Sequence, residues 1–167
     1  MAKAIRMYET GGPEVLRWEA YDSGRPGQGE VLIRHEAIGV NFIDIYHRTG
    51  LYPLPALPAT PGMEGAGVVE AIGKNVTELK AGDRVAYAAI PPGSYADVRL
   101  IPARRLVKLP EEVTFRQAAA MMLRGMTARY LLRKCYPVKK GDTILIHAAA
   151  GGVGLIVCQW AKYIGAT

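Results

Sequence analysis

The plainest chemistry in this sequence lies in three glycines. Gly151, Gly152 and Gly154 sit between an apolar run, "TILIH", and a second apolar stretch, "GLIVCQWAKYIGA". Set against the G-x-G-x-x-G pattern of dinucleotide sites, the segment reads Ala149-x-Gly151-x-x-Gly154, with alanine in the first place. In that pattern the middle glycine lets the backbone approach a pyrophosphate, and the last lets helix pack closely on strand. A helix starting at Gly152–Val153 turns free N–H groups and a positive dipole end toward the phosphates. A glycine-rich turn that binds nothing is the plain structural alternative. A strand before the loop and a helix after it favour the nucleotide. The loop alone suits NAD and NADP equally, because the residue reading the ribose 2′ position lies on the following strand.

A second candidate stretch is "NFIDIYHRTGLY". Phe42, Ile45 and Tyr46 recur at helical spacing before a glycine stop at Gly50. Phe42 and Tyr46 can be the core face of that helix or the lining of a site. His35, His47 and His147 do not pair with a cysteine or with one another at metal-ligand spacing, so they read as structural or surface histidines. Cys135 and Cys158 have no supporting His or acid motif, which argues against a catalytic thiol. Two cysteines that form neither a framework nor a CxxC pair fit a reducing, cytoplasmic setting.

Elements must hold these residues. From Ala4 to about Lys108 the pattern is β: "AIRMY", "EVLIRHEAIGV", "GAGVVEAIG", "DRVAYAA" and "SYADVRL" are short apolar or alternating runs. Turn signals such as "TGGPE" and "KAGD" separate them, which predicts a barrel or sandwich. Prolines at 53, 55, 58 and 61 predict a stiff extended loop after the first helix. Thr114 with Gln117 gives a capping box, and "TARYLLRKC" reads as a second helix stopped by Pro137. A buried strand, the glycine loop, a helix and a C-cap at Gly165 follow. The composition shift sets domains at 1–122 and 123–167.

Half of the 167 residues are hydrophobic, so a packed core is available and disorder is excluded. No stretch reaches membrane-spanning length, and "MAKAIRMYET" has no signal-peptide run. The formal charge of +6 fits solvated faces, or a patch for an anion or RNA.

Six segments together carry a resemblance: "GGPEVL", "AIGVNFIDIYHRTGLYP", "GMEGAGVV", "AGDRVAY", "LLRK" and "HAAAGGVGLIVCQWAK". They resemble the zeta-crystallin-like quinone oxidoreductases, the zinc-free branch of the medium-chain dehydrogenase/reductase superfamily. The resemblance implies a mixed fold, with a chaperonin-10-like (GroES-like) β-barrel catalytic domain followed by the first β–α unit of a Rossmann domain. It also implies NADPH, a quinone or conjugated carbonyl as acceptor, and a homodimer at full length. By similarity, Asn41, Tyr46 and Tyr52 are the catalytic residues, with Asn41 to Tyr46 by the nicotinamide end of the cofactor and Tyr46 and Tyr52 lining the acceptor pocket. Phe42, Ile43, Asp44, Tyr46, Thr127, Tyr130, Gly151, Gly152 and Val153 contact the cofactor. Asp44 can equally be an ordinary helix charge, and Thr127 and Tyr130 can be packing residues.

Zinc members of the superfamily place ligands where this sequence has Asn41 and Met63, which are poor zinc donors, and no cysteine lobe is present. No metal is expected. Without a Lewis acid the acceptor must already be electrophilic, a quinone or alternatively an enone or alkenal. Family members are much longer, and "TILIH" needs parallel neighbours. These 167 residues alone are therefore expected to lack turnover, which leaves a truncated, non-enzymatic binding protein as the contrasting reading.

Overall fold

The computed structural model describes residues 1–167. By internal contacts they divide into two compact units, Met1–Ala120 and Met121–Thr167.

The first unit is built from β1 (Lys3–Arg6), β2 (Arg17–Ala20), β3 (Glu30–Gly39), α1 (Phe42–Thr49), β4 (Glu64–Ile72), β5 (Arg84–Ala88), β6 (Val98–Pro102) and β7 (Val107–Lys108). Five of the strands form one antiparallel sheet in the order β6-β3-β4-β5-β7. β1 and β2 form a separate hairpin, tied on through bridges at Ala4–Ala96 and Met7–Ala59. The five expected strands all form. β2 and β7 are additions that the sequence pattern did not suggest.

Side chains alternate across a strand, so one face of each supplies the core. Val31 and Ile33 of β3, Val69 of β4, Val85 and Tyr87 of β5 and Ile101 of β6 pack together, each almost fully buried. The same alternation sends Arg99 of β6 inward beside Ile101. Arg84 at the start of β5 holds the chain that follows the sheet. Its guanidinium donates to the carbonyls of Pro110, Glu111 and Val113 and lies 4.7 Å over the Phe115 ring.

His35 is locked into the first unit. Nδ1 lies 2.6 Å from the Ala96 carbonyl, and Nε2 lies 2.7 Å from the Tyr87 hydroxyl. A carbonyl only accepts, so Nδ1 carries the proton and Nε2 accepts from Tyr87. This arrangement needs a neutral ring. Burial pulls the His35 pKa down to about 4, the nearby Arg99 cation adds to the fall, and the Ala96 bond and Asp97 oppose it.

α2 (Phe115–Tyr130) and α3 (Gly152–Ile164) are the remaining helices. The expected capping box is present: the Gln117 amide donates to Thr114 Oγ1, and Gln117 Oε1 accepts from the Thr114 amide at 2.9 Å. The sequence reading put separate helices on either side of Gly125; the structure has one. A single glycine in a helix costs only about 1 kcal/mol, too little to break sixteen residues of otherwise good helix formers. The "LLRKC" portion becomes a π-helical turn, Leu131–Cys135.

The second unit's core joins Ala128, Leu132, Val138, Val157 and Ala161, with Ile144, Ile146 and Trp160 packed against it. Here the expected buried strand "TILIH" is corrected. Residues 143–147 have no ladder, and Leu145 is 83% exposed. A strand exists only against a partner, and Thr167 is the one residue whose backbone bonds this segment. Its N–H donates to the Asp142 carbonyl and its carbonyl accepts from Ile144, both at 2.8 Å, the pattern of a parallel pair. Gly165, in the left-handed conformation, ends α3 as expected. No helix is long and apolar enough to cross a membrane.

The His35 ring yields a signed expectation. The unfolded chain binds a proton near pH 6.5 and the folded chain only near pH 4. Stability held above pH 6.5 is therefore lost as pH falls through that window, by about 3 kcal/mol. Urea unfolding at pH 7 and pH 4 should show the loss, and His35→Gln should flatten most of it. An equal loss in the variant would remove His35 as the cause.

Candidate active site

α1 is an inverted amphipathic helix. Its N-cap Asn41 and its inward residues Asp44 and His47 are polar, yet each is at least nine-tenths buried. Its outward residues are apolar, with Phe42 74% exposed and Ile45 40%. Of the two readings open for Phe42, the core face is thus excluded. Tyr46 is half-buried, and its ring meets Tyr52 edge-on at 5.2 Å between centroids and Phe42 at 6.2 Å. The Tyr52 amide donates to the Tyr46 carbonyl at 3.1 Å. Gly50, at φ 82°, ends the helix and turns the chain so that Tyr52 folds back on it. With Val40 and Leu51 also exposed, the three rings form an aromatic patch of the kind that marks a binding surface.

Beneath the patch lies a buried polar set. Asn41 Nδ2 donates to Glu64 Oε1 at 2.7 Å, and Glu64 is fully buried. Asp44 Oδ2 accepts from the Asn41 amide at 2.9 Å and from the Tyr95 hydroxyl at 2.8 Å. Asp44 Oδ1 and His47 Nδ1 are buried without a hydrogen-bond partner. Burial raises the Asp44 pKa against those two bonds, and burial lowers that of His47. Burial and the Asp44 carboxylate push the Tyr95 phenol up. Tyr95 and His47 are participants that the sequence did not indicate. Tyr95 lies 51 residues from its partner, and His47 read as an isolated histidine.

In the second unit, Gly151 is the N-cap of α3 and no side chain caps the helix. The amides of Gly152, Val153 and Gly154 therefore stand in the first turn, where no intrahelical acceptor exists. A Cβ on Gly154 would fall 2.3 Å from the Ala148 carbonyl oxygen, so that glycine is what lets the loop close. A Cβ on Gly152 would fall 2.7 Å from Arg124 Nε, so a guanidinium lies against the loop. Ala148 holds φ at 51°, a left-handed conformation rare for a residue with a side chain, and such strain gathers at ligand sites. Open amides, bare Cα atoms and a nearby cation fit a dinucleotide's phosphates. Arg124 also went unnoticed in the sequence, where nothing set it apart from other helix cations.

Thr127 and Tyr130 lie on α2. The Thr127 hydroxyl donates to the Leu123 carbonyl at 2.8 Å, within its own helix. Tyr130 is exposed.

Residues 27–111 match the alcohol dehydrogenase GroES-like domain family. The chain is 55% identical over 165 residues to a quinone oxidoreductase of Pseudomonas aeruginosa, covering 99% of this chain and 51% of that one. It is 45% identical over 173 residues to a 2-haloacrylate reductase of a Burkholderia species, covering 100% and 52%. Among solved structures, the Escherichia coli quinone oxidoreductase complexed with NADPH superposes with a TM-score of 0.96 at 48% identity, covering 99% and 51%. The chain thus spans about half the length of the relatives it matches.

The Asn41–Glu64 bond can be tested directly. Asn41→Ala takes a donor from a fully buried carboxylate and should cost about 1–3 kcal/mol in thermal or chemical unfolding. Adding Glu64→Gln, which removes the charge, should recover part of that loss. Additive effects of the two changes would show that the pair does not interact.

Proposed function

The chain belongs to the alcohol dehydrogenase GroES-like domain family, and from that premise we propose that the protein is an NADPH-dependent quinone reductase of the zinc-free, zeta-crystallin-like branch. The carrying observation is the inverted helix α1, which keeps aromatic rings exposed over a buried polar set. In this reading, residues 1–122 are the catalytic domain and 123–167 begin the Rossmann domain. The protein works as a cytoplasmic homodimer. No RNA-binding role is needed to account for its charge, since the dinucleotide is itself an anion.

NADPH supplies a hydride when bound. The chain's residues do the rest. The Gly151–Val153 loop holds the pyrophosphate, with the Gly152 and Val153 amides as donors while the Gly151 amide bonds the Ala148 carbonyl, and Thr127 and Tyr130 take further cofactor contacts. Asn41, Phe42, Ile43 and Asp44 position the nicotinamide end, and the Asn41 side chain is itself fixed by Glu64. Tyr46 and Tyr52 present flat rings to a planar acceptor, and their O–H groups donate to its carbonyl oxygen as negative charge develops there. A proton passes from a Tyr O–H to that oxygen and is replaced on the phenol from water, so that one hydride and one proton together give the hydroquinone. Asn41 gives its amide N–H to Glu64, and Met63 offers only a thioether. Neither suits zinc, so an acceptor activated by its own conjugation fits best.

A second acceptor class has support of its own. A haloacrylate is an alkene conjugated to a carboxyl group, and the similarity to a 2-haloacrylate reductase favours activated double bonds as alternative substrates.

The decisive assay is NADPH oxidation by the full-length protein with 1,4- and 1,2-quinones, enones and simple alcohols. Quinones should be reduced and alcohols left alone. Reduction of enones with every quinone ignored would move the function to the double-bond reductase. Gly152→Val should weaken NADPH binding at least about tenfold (1.4 kcal/mol), read by fluorescence titration, with the β-rich unit still folded. Unchanged affinity would remove the loop from the site. Tyr52→Phe should lower kcat on the order of 10²-fold with little change in NADPH affinity. Elemental analysis of chelator-free protein should find no stoichiometric zinc.

A further inference from the structure

A cavity of about 280 Å³ lies wholly within the first unit. It is bordered by the proline-rich loop after α1, by the end of β1, by Pro91–Gly93 and by β6. Its walls are mostly proline, alanine and leucine, and the polar groups among them are Arg6, Arg99, Thr60 and Tyr21. No Asp or Glu borders it.

Arg99 is the unusual wall residue. It sits in an inward register of β6, where its neighbour two residues on is a core isoleucine, and it is only 6% exposed. Nη2 donates to the Pro91 carbonyl. Nη1 is buried with no hydrogen-bond partner, and so is the Thr60 hydroxyl on the same cavity. The Arg99 guanidinium also lies over the Tyr87 ring, 4.8 Å from its centroid, and against the Cα of Gly93, where a Cβ would meet Nε at 3.3 Å. The guanidinium also hydrogen-bonds the Tyr87 hydroxyl, so the unmade bond of this buried cation is the one at Nη1, and that bond keeps its desolvation cost. A second guanidinium, Arg6, borders the same space. It donates to the Pro58 carbonyl at 3.2 Å and lies 5.8 Å from the Tyr21 ring centroid.

We propose that this cavity binds a small organic carboxylate, its charged end taken by Arg99, Arg6 and Thr60 and its apolar body by the proline walls. The guanidinium fork matches a carboxylate with two parallel N–H donors. The walls choose between oxyanions: inorganic phosphate would press its remaining oxygens against proline and leucine, whereas a carboxylate brings an apolar remainder that gains by leaving water. The volume sits near the low end for ligand sites and limits the body to about the size of a substituted ring or short chain. None of its lining residues belongs to the nucleotide loop or to the three rings of the aromatic patch.

The test is titration of the purified protein with benzoate, followed by amide NMR and calorimetry, with inorganic phosphate as comparator. Saturable binding is expected at a Kd of about 1 mM or tighter, with shifts centred on Thr60, Gly93 and Arg99. Arg6→Gln and Arg99→Met should each weaken it at least tenfold, and phosphate should bind at least tenfold more weakly than benzoate. If Arg99→Met fails to fold, Arg6→Gln decides alone, because the Arg6 side chain lies nearer the surface and its loss leaves the core intact. No saturation, shifts confined to other surfaces, unchanged affinity in Arg6→Gln, or phosphate binding as tightly as benzoate would each overturn the proposal.

Discussion

A fully buried carboxylate has to be answered, and Glu64 is answered by the Asn41 amide at 2.7 Å. That bond joins the first residue of β4 to the N-cap of α1. With it come Asp44 and His47, one and two helical turns along the same face, both drawn inward. Once the polar face is committed to the interior, Phe42 and Ile45 have nowhere to go but out. The aromatic surface on α1 is thus the geometric remainder of a polar interior, which is why a helix with so many apolar residues leaves them in view.

The strands were readable because their residues alternate and their breaks are turn formers. β3 and β4 are the longest strands and carry β-branched residues along them, and both appear where the pattern placed them. β2, "RWEA", has one aromatic among three polar or small residues and is held by its hairpin partner rather than by its own pattern. β7 is two residues long, below any periodicity. The failure at residues 143–147 has a different cause. Their composition is that of a central strand, but a ladder is a property of two segments, and only Thr167 lies alongside. Gly125 misled for a third reason: an isolated glycine costs about 1 kcal/mol in a helix, and neighbouring residues outweigh it.

The site was legible where function and local sequence coincide. The glycine loop announces itself because strand, small residues and helix must be consecutive for the backbone to turn there. The segment from Asn41 to Tyr52 was visible as a helix with a stop, though its inside and outside could not be assigned from spacing. Aromatic and polar residues each recur there at helical intervals, and only tertiary contacts choose between the two faces. Tyr95, Arg124 and Arg99 carry no local signal at all. Each acquires its meaning from a partner in another element: Asp44 for Tyr95, Gly152 for Arg124, the Pro91 carbonyl and the Tyr87 ring for Arg99.

The ring of His35 has one nitrogen that gives a proton to a carbonyl and one that takes a proton from a phenol. Those two nitrogens therefore resonate far apart in a nitrogen NMR spectrum, and the Nδ1 proton is shielded from exchange with water. Of the three histidines in the chain, His47 has no hydrogen bond at Nδ1 and His147 belongs to the other unit. The His35 ring is thus a built-in spectroscopic reporter for the β-rich unit. A single imidazole signal reports whether β3, β5 and the segment before β6 are assembled, with no dye attached and no residue changed.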